Sequence, residues 1–324
     1  MLNEKKLEMA FKRYSKNFVE GIKYDEVKEQ YEERKHEIKS IVELNEIEKD
    51  HILLIDLSSI SSCYFSKWKN DVLINGGRKF DELKKVQKVV FYQCMGQELY
   101  ITRYPNMRVR YTFSEVITAL IHFTMFGWER EEKILFDFII KHFGRHLMDV
   151  NDENRHIWFL LELYLQYRNK TIMGTNQKLH LIVIEQLKEN GLEYDLIPES
   201  LDVYQAVLEQ WSNQDLELTG NLVEGMSLYH SKLAAEIGSL GEFGDFGYAF
   251  YPYEILFLIY VRKKHRLPVP EHFDDFLMIT PEAKMIIDDP EPYPEWDPLL
   301  RLIDDFYRKN YPDYIPNKQG ELFQ

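Results

Sequence analysis

Apolar side chains recur along this chain at steps of three and four, the period of a helix that buries one face. Leu7, Phe11, Tyr14, Phe18 and Ile22 make a first stripe. Val27, Tyr31, Ile38, Ile41 and Val42 continue it past Gly21 to about Leu44. Opposite charges at i,i+4 spacing line the outer face of both stretches. A helix apolar on most sides in its first half is expected over 47–68, and Asn75-Gly76-Gly77 is a turn. Asp81 can cap a helix to about Tyr100 that turns Leu83, Val86, Val89, Val90 and Met95 inward. Thr112 and Glu115 form a capping box for a helix through Phe126, which Gly127 stops. Further helices are expected over 130–147, 154–168, 177–189, 201–211, 215–240 and 253–265, with Gly191 at the C′ position of the third. Shorter ones are expected at 281–287 and 297–309. The best strand candidate is 106–112, where Met107, Val109 and Tyr111 share one side, and one short hairpin is expected there. The class is all-α, with about a dozen helices packed in pairs as a bundle or repeat-like array. The segments 1–48 (amphipathic), 49–190 (central) and 191–324 (acidic) are expected to form one continuous unit.

With 45% apolar residues and 14% aromatic, the 324-residue chain has ample material for a packed core. Cys63 and Cys94 stand far apart and fit no metal spacing, so they read as reduced thiols. No signal-peptide pattern opens the chain, and its apolar runs are too short to span a bilayer. A cytoplasmic protein is the expectation.

Charge changes the picture. Residues 1–190 hold 29 acids and 30 bases, a net of +1, whereas residues 191–324 hold 25 acids and 10 bases, a net of −15. Within the second part, 191–247 carries −10 and 271–324 carries −8, and 248–270 between them carries +3. Phosphate contacts need Lys and Arg, so this balance argues against direct nucleic-acid binding and against anionic membrane surfaces. It favours a basic protein partner, steered by the field.

Catalytic motifs are weak. His142 and His146 stand four apart, a spacing that can place two imidazoles on one metal. Phe143 replaces the Glu a metalloprotease would need there, and no third ligand is signalled. No metal, cofactor or catalytic residue is assigned. The adjacent acids Asp274-Asp275, Asp288-Asp289 and Asp304-Asp305 point in different directions on any regular element and read as a solvated face. The loop Gly241-Glu242-Phe243-Gly244-Asp245-Phe246-Gly247 resembles a phosphate cradle only superficially, because Glu242 and Asp245 would repel phosphate. Two acids beside two phenylalanines suit a protein-binding tip better. The aromatic cluster Tyr248, Phe250, Tyr251, Tyr253, Phe257 and Tyr260 follows, with an edge expected to join the contact surface.

Two stretches of the last third resemble a known family. The first is the helix Asn221–Ala234, centred on Tyr229-His230. The second is Tyr251-Pro252-Tyr253-Glu254-Ile255-Leu256-Phe257-Leu258-Ile259-Tyr260, followed by Arg262-Lys263-Lys264-His265-Arg266-Leu267-Pro268-Val269-Pro270. Their order resembles the immunity-49 family of bacterial polymorphic-toxin immunity proteins. The Tyr-Pro-Tyr-Glu run is also similar to a run in the PoNe-immunity family. The resemblance implies an all-helical, non-catalytic cytoplasmic antitoxin that binds a cognate, basic toxin domain. The contact surface is then expected around Glu236, Glu242, Phe243, Asp245 and Phe246, with Asp274, Asp275, Asp288 and Asp289 nearby. The alternatives are a helical-repeat adaptor and a metal-dependent enzyme with a dispersed site.

Overall fold

A computed structural model describes residues 4–20, 22–76, 80–100, 113–145, 147–236 and 246–324. The all-α expectation holds. The described residues form helices and short 3-10 turns, with only isolated bridges such as Ile172 with Thr175 outside them. The hairpin expected at 106–112 and the Thr112 cap lie outside the described residues. Helices run over Glu4–Val19, Ile22–Glu43, Asp50–Asn75, Asp81–Glu98, Phe113–Met125, Glu129–His142, Arg155–Arg168, Leu179–Glu189, Val203–Gln210, Leu216–Ala235, Tyr253–Lys264, Pro298–Asn310 and Ile315–Gln319.

Three ends differ from expectation for local reasons. The third helix continues to Asn75, where Gly76 takes φ 80° and returns its N–H to Val72. The helix expected to reach Leu147 stops at His142, because the backbone turns at Gly144 with φ 66°. In place of the helix at 281–287 there is only the 3-10 turn Glu282–Lys284.

The chain divides into two compact units. The first is Met1–Lys16 with Val150–Ile286, and the second is Asn17–Asp149 with Ile287–Gln324. These bounds do not follow the segments 1–48, 49–190 and 191–324, because the last 38 residues belong with the N-terminal half. The charge redistributes accordingly. The first unit holds 23 acids and 16 bases, and the second 31 acids and 24 bases, so each carries −7. The steep asymmetry along the sequence disappears between the folded units.

In the first unit, the Arg155–Arg168 helix is buried on nearly every side and forms the hub. The Val203–Gln210 and Tyr253–Lys264 helices pack on it, and Phe159 stacks on Tyr204 at 4.8 Å. Asp215 caps the Leu216–Ala235 helix by accepting from the N–H groups of Glu217 and Leu218. The N-terminal helix joins through Tyr14, whose hydroxyl lies 2.6 Å from Glu282 Oε1 and 3.0 Å from the Gly247 carbonyl.

In the second unit, Asp50–Asn75 packs against both Ile22–Glu43 and Asp81–Glu98, and Pro298–Asn310 closes the group. One carboxylate ties these helices together. Asp297 Oδ1 accepts from the N–H groups of Leu299 and Leu300, each at 2.8 Å, and so caps the last long helix. Its Oδ2 accepts from Tyr31 and Tyr64, each at 2.6 Å, on two other helices. Asp297 is 3% exposed, and four donors replace its lost water. Burial first, and then this carboxylate, push both tyrosine hydroxyls well above the ordinary phenol range.

The segment before Asp297 is pinned as firmly. Lys84, itself buried, reaches Glu291 at 3.2 Å and the Pro292 carbonyl at 3.1 Å. The Trp128 indole donates to the Glu291 carbonyl, and the Glu291 N–H donates to Phe126. Gly127 has φ 69° and lies directly against Asp289 and Pro290, so no larger residue fits there. Replacing Asp297 with Ala removes the cap and leaves two half-buried hydroxyls without their acceptor. It is expected to lower unfolding free energy by about 3 kcal/mol in urea titration, against about 1 kcal/mol for Tyr31→Phe alone. Equal losses for the two variants would show that the cap contributes little.

Candidate functional site

Both units bury ionisable side chains, and in the first they include His156, Glu162, His180, His230, Glu254 and Arg262. The cap at Asp215 sets the phase of the Leu216–Ala235 helix, which turns His230 inward. Glu254 stands in the first turn of the Tyr253–Lys264 helix, also fully buried. His230 Nδ1 lies 2.7 Å from Glu254 Oε1, and Nε2 lies 3.1 Å from the Ala249 carbonyl. A carbonyl only accepts, so Nε2 carries a proton. The Nδ1 contact then needs a second proton, held either by the ring or by the carboxyl group. The pair is a one-proton bridge between two helices, and it leaves His230 no ring nitrogen for a metal or a substrate.

The neighbours share this enclosure. Burial, and then His230, push the His156 imidazole down to about 3, so it is neutral at ordinary pH. Burial, and then Glu254, raise the Tyr204 hydroxyl far above the phenol range. A second braced imidazole lies in the same unit. His180 Nδ1 is 2.8 Å from Glu162 Oε1, and Glu162 Oε2 accepts from the Lys178 N–H at 2.8 Å. Arg262 is buried as well. Its guanidinium donates to the carbonyls of Pro268, Trp211 and Asn213, and desolvation lowers its pKa. The two stretches that carry the family resemblance therefore meet physically through His230–Glu254, and Arg262–Pro268 braces the second of them. Their polar residues brace the first unit from within.

The residues expected at a contact surface are divided between the two units, and part of them lies outside the described residues. Glu236 is exposed and pairs loosely with Lys6 at 3.7 Å. Asp274 is exposed, but Asp275 is half-buried and accepts from the Ser227 hydroxyl and the Met278 N–H, so it is a brace. Asp288 and Asp289 belong to the second unit. Glu242, Phe243 and Asp245 lie outside the described residues, as does the side chain of Phe246, whose backbone opens the short turn Phe246–Tyr248. The aromatic cluster is mostly interior, with Phe250, Tyr251, Tyr253 and Phe257 buried, and Tyr248 and Tyr260 at its edge are half-buried. Helical geometry did separate the acid pair Asp304-Asp305. Asp304 is buried on Arg308 at 2.8 Å, and Asp305 is exposed beside Arg301 at 3.3 Å.

His142 is buried against the Phe138 ring, with Nε2 3.4 Å from Glu98 Oε2, and His146 lies outside the described residues. No group of three His, Cys, Asp or Glu side chains among the described residues is placed to hold a metal. No described helix is long and apolar enough to cross a membrane. Set against known proteins, the chain matches no family model, no curated protein and no solved structure.

In the second unit, Lys88 is the group that sequence reading overlooked. It sits on the Asp81–Glu98 helix at 1% exposure, with Nζ 3.4 Å above the Trp296 ring and 4.9 Å from that of Phe323. Nζ has no hydrogen-bond partner among the described residues. Burial lowers its pKa to about 7, with Arg301 adding to the shift and Asp304, Glu131 and Asp297 opposing it. Only its neighbours at i−4 and i+4, Lys84 and Tyr92, could have hinted that this face of the helix is covered. A depressed lysine pKa penalises the fold below the unfolded value, so stability falls as pH drops from about 10 to 7 and then levels. Lys88→Met is expected to raise stability at pH 7 by roughly 2–4 kcal/mol and to flatten that slope, read by urea titrations between pH 7 and 10. A destabilised variant with the slope intact would contradict the assignment.

Proposed function

We propose that this chain is a non-catalytic, cytoplasmic immunity protein that binds a basic toxin domain and blocks it. The observation that carries the reading is where the ionisable groups lie. The imidazoles of His230 and His180 are bound into buried carboxylate braces, and each folded unit keeps an excess of seven negative charges. Imidazoles held on buried carboxylates suit a scaffold, whereas a surplus of acidic charge suits capture of a cationic protein. The resemblance of the Asn221–Ala234 and Tyr251–Pro270 stretches to antitoxin families points the same way.

The direct test uses the product of the neighbouring reading frame. Co-expression of this chain is expected to restore growth of cells making that product. Stopped-flow association of the purified pair is expected to slow by about tenfold or more between 0.05 and 0.5 M NaCl. Rescue failure with no binding would refute the antitoxin reading, and salt-independent association would refute the charge argument.

A further inference from the structure

The Leu179–Glu189 helix buries only Leu179, His180 and Val183. Leu181, Ile182, Ile184 and Leu187 are left half-buried, an unusual share of aliphatic surface for one short helix. The helix ends in a tight left-handed turn. Gly191 takes φ 65°, and the Leu192 N–H returns to the Leu187 carbonyl at 2.9 Å. That turn sends Leu192 outward at 53% exposure, and Leu196 follows at 49%.

The two leucines are held in place. Ile197 and Pro198 are buried beneath the loop. The Leu196 N–H donates to Asn151 Oδ1 at 2.9 Å, and the Asn151 amide donates to Asp195 at 3.3 Å. A fixed loop that keeps two leucines in water is prepaid for binding, because little ordering remains to be done. Within 179–200 the acids Glu185, Glu189, Glu193, Asp195 and Glu199 are all exposed against one base of that stretch, Lys188, and Arg155 reaches the Ser200 carbonyl at 3.0 Å from outside it.

We propose that residues 179–200 are the docking surface for a protein whose contact face is basic and carries apolar side chains. Charge selects this occupant. A second copy meeting the patch about a twofold axis would set its acids against their own equivalents. Nucleic acid and anionic lipid are repelled in the same way. A cationic, partly apolar protein face satisfies both the leucines and the carboxylates. The proposal rests on the reading that the chain captures a basic protein, and it assigns the contact to residues 179–200 rather than to 241–247.

The test uses the full chain and a labelled fourteen-residue amphipathic helix of Leu and Lys as probe. Hydrogen exchange is expected to show protection of 179–200 by the peptide. Leu192→Ser with Leu196→Ser is expected to weaken binding about tenfold at unchanged salt dependence. Glu193→Lys with Glu199→Lys is expected to weaken it similarly and to flatten the salt dependence. These positions are exposed, so unchanged unfolding midpoints confirm the fold of each variant. Wild-type affinity in both variants, or protection confined to 274–289, overturns the proposal. Peptide protection at 179–200 together with a neighbouring-frame product that does not bind would sustain the surface while refuting the antitoxin reading. A bound toxin that protects other residues would do the reverse.

Discussion

A carboxylate taken out of water is costly unless it is given donors, and several helix contacts in both units are made where a buried acid meets them. In the second unit Asp297 collects two backbone N–H groups and two tyrosine hydroxyls, so three helices have to meet at one point. Glu131 does the same on a smaller scale, accepting from the Tyr293 hydroxyl and the Phe323 N–H and so fixing the last residues. In the first unit Glu254 and Glu162 each hold an imidazole. Apolar burial supplies the driving force, but it is not directional. The matched carboxylates add direction where these helix faces touch.

This division of labour bears on the acidic composition. Glu254, Glu282, Glu291, Asp297 and Asp304 are all buried and belong to the acid-rich part of the sequence. They count toward its −15 and yet contribute no accessible charge patch. The remaining acids are shared between two units of equal net charge. A field of that kind favours encounter with cationic proteins without confining them to one end of the chain. Orientation then has to come from shape, and the exposed leucines of the 191–200 loop supply it in the first unit.

Helices were legible in the sequence because their apolar period is local. The Gly127 stop and the Gly191 stop could each be read from a few neighbouring residues. Residue separations of 233 and 266 hid the bonds from Tyr64 and Tyr31 to Asp297. The same distance effect concealed the return of residues 287–324 to the N-terminal half. Motif-like polar residues misled in a consistent way. Asp275 looked like surface charge and is a brace, and part of the basic turn, Arg262, is buried on carbonyl groups. Burial cannot be inferred for a charged residue until its partners are known, and these partners lie on other elements. Leu192 and Leu196 were unremarkable for the opposite reason, because nothing local marks a leucine as exposed.

The central claim is that the buried acid–base pairs hold the scaffold while binding resides on the surface. Its most direct test is the His230→Gln, Glu254→Gln double variant, assayed for affinity toward the neighbouring-frame product under conditions where it remains folded. A lowered unfolding midpoint with wild-type affinity is the predicted result. An unchanged midpoint with lost neutralisation would contradict the account and place function at the buried pair.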